Sequence, residues 1–192
     1  MVSGNDDQGF TLLELLLVVA IIGVVLTAGW NLFNLITAGT NSGNSLSTSA
    51  ADTSTGLEQM SRVLMQSTGV ASADPYDLTV WTQPTPGGNF VLHRFYLNAS
   101  HERLLDDYQT WNSGRTLKLS EAELVLSYNS ANISTGTVDV PLFQYFDASN
   151  QSISNMALVS GSARIIRATI VTDTGVGRAQ DSRDILLRNG GS

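Results

Sequence analysis

From Leu15 to Leu26 no residue is polar, and the stretch continues through Trp30, Leu32, Phe33, Leu35 and Ile36. That exceeds the roughly 20 residues a helix needs to cross a bilayer. The run is therefore a membrane segment of some kind, and it restricts every other element to the residues behind it. Two features interrupt its simplicity. Glu14 stands just inside its leading edge, and Gly9 stands just before the run begins.

Three kinds of membrane segment compete. A secretory signal needs a basic leader and small residues at its cleavage site. MVSGNDDQG contains no Lys or Arg, and the best downstream site, Ile36-Thr37-Ala38, comes late. A plain anchor has no use for Glu14, because an acidic side chain at the centre of a membrane helix costs about 2.5 to 3.5 kcal/mol on insertion scales. The third kind is a signal cut before the apolar run, on the cytoplasmic side.

Gly9, Phe10, Thr11, Leu12, Leu13 and Glu14, followed by an aliphatic run, resemble the class III signal of type IV pilins and of the pseudopilins of type II secretion. The resemblance implies that a prepilin peptidase cuts between Gly9 and Phe10 and methylates the new amino terminus of Phe10. Removing residues 1–9 takes away Asp6 and Asp7 and brings the net charge from -7 to -5. The leader departs from the family pattern in carrying those aspartates where Lys or Arg is usual.

A terminal ammonium and a carboxylate in a low-dielectric layer each need a counter-charge, because an unpaired buried ion is far costlier than a paired one. Glu14 of one subunit can neutralise the Phe10 amine of its neighbour and set the axial register of adjacent helices. The blander reading is a carboxylate that snorkels to the headgroups or is protonated.

Residues 37–56 read as a Gly/Ser/Thr linker by composition. Periodicity points elsewhere. Steps of four and three from Leu32 land on Ile36, Gly39, Gly43, Leu46, Ala50, Thr53, Leu57, Met60 and Leu64, a seam of apolar and small residues on one helix face. One helix reaching to about Thr68, softened in its middle by low-propensity residues, is the expectation. The chain then divides into a leader (1–9), a membrane and assembly helix (10–36), a soft continuation of that helix (37–68) and a β-rich domain outside the membrane (69–192).

After Gly69 the pattern turns to period two. Leu78 to Gln83, Phe90 to Asn98, Arg103 to Gln109, Thr116 to Lys118, Leu124 to Asn129, Leu142 to Asp147, Ile165 to Val171 and Asp184 to Arg188 read as strands, separated by turn-rich segments. The fold class is α+β, a long N-terminal helix followed by an antiparallel sheet domain. The outer half of the helix is the obvious cover for one sheet face. RVLMQ, PLFQYFDASNQ, ARIIRATIVT and ILLRN look like the larger minor pilins, the group that includes minor pilin W and pseudopilin J. The chain has no cysteine, whereas major pilins commonly carry a pair near the C-terminus.

Catalytic chemistry is hard to find. Without cysteine there is no disulfide framework, thiolate nucleophile or sulfur-ligated metal. His93 and His101 lack further ligands for a metal site. Asp147, Ser149 and Asn150 fit a turn better than a calcium loop. Asp106 and Asp107 lack the spacing of paired-carboxylate hydrolysis. Sequons stand at Asn98, Asn132 and Asn150. Arg164, Arg167, Arg178, Arg183 and Arg188 crowd the last thirty residues among Asp173, Asp181 and Asp184. Paired solvent-facing strand residues are the ordinary reading; an interface with an acidic neighbouring subunit, or a DNA contact in an uptake pilus, is the sharper one. A net charge of -7 argues against non-specific nucleic-acid binding.

The expectation is thus a structural minor pilin of a type IV pilus, with no catalysis, cofactor or metal of its own. The resemblance implies partners: the prepilin peptidase, other major and minor pilin subunits, an assembly platform with its ATPase, and the cytoplasmic membrane that holds the subunit before assembly. A pseudopilin of type II secretion and a membrane-anchored extracellular binding domain that never polymerises are the alternatives.

Overall fold

A computed structural model describes residues 12–128, 130–133, 139–174 and 177–187. The chain divides into two compact units, residues 1–44 and 45–192.

Helix α1 runs over Leu12–Met65 and contributes to both units. In the first unit every described helical side chain from Leu12 to Asn41 is exposed. Three threonine hydroxyls in this part bond back to the helix itself. Thr27 donates to the Gly23 carbonyl at 2.8 Å, Thr37 to Phe33 at 2.9 Å and Thr40 to Ile36 at 2.9 Å. Such i−4 bonds satisfy a polar group that would otherwise compete for the backbone or need water.

In the second unit, the last turns of α1 meet two antiparallel sheets. The first is a five-stranded meander of β1 (Ser67–Ala73), β2 (Asp77–Thr82), β3 (Phe90–Leu97), β4 (Arg103–Trp111) and β5 (Lys118–Tyr128) in sequence order. The second contains β6 (Phe143–Phe146), β7 (Ile165–Asp173) and β8 (Arg178–Leu186), with a 3-10 turn at Met156–Leu158 and a short helix α2 (Val159–Ser162) between β6 and β7. Leu57, Met60 and Leu64 of α1 are fully buried in one core with Leu78, Val80, Phe95 and Leu104 of the first sheet and Phe143, Tyr145, Ile166, Ile170 and Ile185 of the second. Each such side chain contributes about 1.5–3 kcal/mol relative to exposure. This is the expected α+β, pilin-like architecture of long helix and antiparallel sheet.

Several boundaries differ from the sequence reading, each for a local reason. The helix stops at Met65, and Ser67 already opens β1, an unexpected strand rich in Ser, Gly and Ala with little apolar alternation. The segments Thr116–Lys118 and Leu124–Asn129 are not two strands. Lys118–Tyr128 forms one, while Asn112 Oδ1 accepts from the backbone N–H groups of Thr116 (2.8 Å) and Leu117 (3.2 Å) to make the turn before it. β8 begins at Arg178 instead of Asp184, because most of its residues are polar and exposed and show no alternation. Asn129 and Arg188 lie outside the described residues. On α1 the seam holds at Thr53, Leu57, Met60 and Leu64, but Ser49 is buried where Ala50 was expected. A 3.5-residue seam drifts by only about 20° per heptad on a straight helix, so it stays on the buried face from Thr53 to Leu64.

Candidate functional site

Gly9 and Phe10, the expected cleavage and methylation positions, lie outside the described residues. Glu14 lies in the first turn of α1, where a carboxylate is favoured by the positive end of the helix dipole. It begins an apolar stretch whose side chains are exposed throughout. Leu13 is 78% exposed and Val24 70%. This is the one helix among the described residues long and apolar enough to cross a membrane.

A second feature was not legible in the sequence. The β2–β3–β4–β5 register pairs Leu78 with Phe95, Phe95 with Asp106, and Asp106 with Leu124; the next row pairs His93 with Tyr108. His93 and Asp106 are diagonal neighbours on the face turned toward α1. The His93 Nδ1 lies 3.0 and 3.2 Å from the two Asp106 carboxylate oxygens, and both side chains are largely buried. The imidazole is stacked with the rings of Phe95 at 6.0 Å and Tyr108 at 5.9 Å. The pair lines an open cleft of about 340 Å³, bordered on the helix side by the exposed Gln59 and Arg62 and the half-buried Val63. His101, by contrast, is exposed in the β3–β4 turn with a φ of 60°, so the two histidines are not brought together.

The opposite face of the same sheet carries a cluster of Trp81, Phe90 and Trp111. Trp81 meets Phe90 and Trp111 edge-on at 6.2 and 6.1 Å, and the Arg115 guanidinium lies 4.1 Å from the Phe90 ring centroid. These residues are far apart in sequence, and only the register assembles them.

The remaining sequence candidates resolve into structure. Asp147 Oδ1 accepts from the N–H groups of Ser149 and Gln151 at 2.8 and 2.9 Å, and Asn150 adopts a φ of 60°, which is an Asx-type turn. Arg167 pairs with Asp184 at 2.6 Å, and Arg178 with Asp173 at 3.2 Å, the cross-strand pairing of the ordinary reading. The Arg167 guanidinium holds the Asp184 carboxyl below the usual carboxylate range. Asn132 is fully buried, and Asn98 Oδ1 accepts from the Glu102 and Arg103 N–H groups. Of the three sequon asparagines, Asn150 is exposed at the turn, while Asn98 is half-buried and Asn132 fully buried.

Residues 4–30 match the family model of the prokaryotic N-terminal methylation motif. Neither the curated proteins nor the solved structures yielded a match. The matched segment contains Gly9, Phe10, Glu14 and the first turns of the exposed helix, and it marks a type IV pilin-like precursor processed by a prepilin peptidase. Membrane anchoring before assembly with pilin machinery is consistent with that motif and with the apolar helix behind it.

Proposed function

We propose that this chain is a structural minor pilin subunit of a type IV pilus, cut after Gly9, methylated at Phe10 and assembled through α1. The observation that carries the reading is the bare apolar helix directly behind the matched motif. So large an exposed apolar surface needs lipid first and the helices of other subunits afterwards. In the fibre, Glu14 pairs with the Phe10 amine of the adjacent subunit, and packing among helices replaces the lipid contacts. In this reading its role is structural.

The test is mass spectrometry of the N-terminal peptide from host membranes and from sheared surface fibres, for the wild type and for Glu14→Ala. The expected result is N-methylated Phe10 in both proteins, with only the wild type present in the fibres. A terminus at Met1 or Val2, or a cut near Ala38, would overturn the reading. Methylated Phe10 in a protein that stays beneath the cell surface and is needed for secretion of other proteins would assign it to a pseudopilus instead.

A further inference from the structure

We propose that the cleft between α1 and the first sheet is a binding site for a non-anionic molecule of one or two rings carrying a single N–H or O–H donor. The proposal concerns the second unit alone and stands whether or not the subunit polymerises.

Size and lining come first. At about 340 Å³ the cavity falls within the range of small-molecule sites, and Val63, Leu124 and Leu126 give it apolar walls. The polar side chains of His93, Asp106 and Tyr108 lie together on its sheet side, a pattern that fixes the orientation of a ligand.

The His93–Asp106 pair then sets the hydrogen-bonding polarity. A carboxylate can only accept, so the proton of the bond between them sits on His93 Nδ1. In the neutral ring that leaves Nε2 as an acceptor. Among the described residues Nε2 has no hydrogen-bond partner, and the Tyr108 hydroxyl has none either. A donor on the ligand completes the chain from carboxylate to imidazole to ligand. Stacking between Phe95 and Tyr108 holds the imidazole plane in place for it.

Charge excludes an anion: the buried Asp106 carboxylate repels one from the floor, and the exposed Arg62 guanidinium at the edge is already paired with Glu58. Leu78, Val80, Phe95 and Leu104 show that this face is otherwise packed with apolar side chains, so the His93–Asp106 pair is a polar feature set in an apolar layer.

The experiment uses the full mature chain in detergent micelles, with the methyl groups of Val63, Leu124 and Leu126 followed by NMR. Two probes are titrated: indole, and indene, which has the same bicyclic shape without the N–H. The expected result is a saturable shift with indole and an affinity for indene weaker by about tenfold or more, since indene leaves Nε2 unsatisfied. His93→Phe, which keeps the ring stack, is expected to abolish that preference. Val63→Phe, which fills the cavity from the helix side, is expected to block both probes and serves if His93→Phe fails to fold. Shifts that rise without saturating, equal affinity for the two probes, an indole preference that survives in His93→Phe, or binding undiminished in Val63→Phe would each overturn the proposal.

Discussion

Gly56 of α1 lies directly against the backbone carbonyl of Leu126 on β5, so close that a Cβ at position 56 would overlap the carbonyl oxygen. The contact is backbone on backbone, and neither side can yield by a rotamer change. It fixes how closely the helix approaches the sheet, and so sets the depth of the core beneath Leu57, Met60 and Leu64.

Gly56→Ala is therefore expected to destabilise the second unit by about 1–3 kcal/mol, the usual cost of overpacking. Gly39→Ala is the control. Nothing lies within 4 Å of a Cβ there, so the gain in helix propensity, about 0.8–1 kcal/mol in an exposed helix interior, is uncompensated by any clash. Urea unfolding of the full chain in micelles, followed by near-UV circular dichroism, checks both. Equal behaviour of the two variants would remove the close-approach argument.

Asn132 latches the segment after β5 to β7. Its Nδ2 donates to the carbonyls of Thr169 at 2.8 Å and Val140 at 3.1 Å, and its Oδ1 accepts from the Val171 N–H at 3.0 Å. Asn132→Leu leaves these backbone groups buried and unpaired, at about 1–3 kcal/mol for each one stranded. A drop in the unfolding midpoint together with faster amide exchange at Val171 is the expected outcome. An unchanged exchange rate would show that the latch is not formed.

Asp107 sits opposite Glu123 and Arg94 in the β3–β4–β5 register. Burial, with repulsion from Glu121 behind it, pushes its carboxyl above the usual value despite the favourable pull of Arg94. Below the unfolded value of about 3.9 both states are protonated and Asp107 contributes nothing. As pH rises through the interval up to the raised folded value, the unfolded chain ionises more readily and stability is lost. Asp107→Asn is expected to gain ~0.3–1 kcal/mol at pH 7, solvent screening included, and nothing at pH 3. Paired urea midpoints at the two pH values decide it; an equal gain at both would mean the charge is irrelevant.

Tyr145 is buried and donates its hydroxyl to the Asp74 carbonyl at 2.8 Å. Burial pushes this phenol far above its ordinary value. The folded state therefore keeps it neutral while the unfolded chain ionises above about pH 10, so stability falls as pH rises beyond that point. Tyr145→Phe should cost about 0.5–1.5 kcal/mol at neutral pH and show a shallower loss of stability above pH 10. A slope identical to that of the wild type would contradict the assignment.

What was readable in advance was whatever neighbouring residues decide. The Gly9-Phe10 junction, Glu14 and the apolar run are contiguous, and the motif match covers the same residues. β2 was legible because one face is buried and leaves a period-two imprint, and β7 because its β-branched run is buried on both faces from Ala168 to Thr172. β8 left no such imprint from Arg178 to Asp184, because its polar residues face solvent. Its strand character comes from pairing with β7 along its whole length.

His93 and Asp106 show the other limit. Each is unremarkable in the chain, and their juxtaposition depends on a hairpin register that places His93 against Tyr108 and Phe95 against Asp106. Gly56 is similar: what forbids a side chain there is the approach of Leu126, seventy residues onward. Sequence alone determined that a membrane-length apolar helix stands directly behind a methylation motif, because hydrophobicity and a contiguous motif are local properties. Tertiary structure decided the core, the His93–Asp106 cavity and the Asn132 latch, because each requires strands distant in sequence to meet at one register.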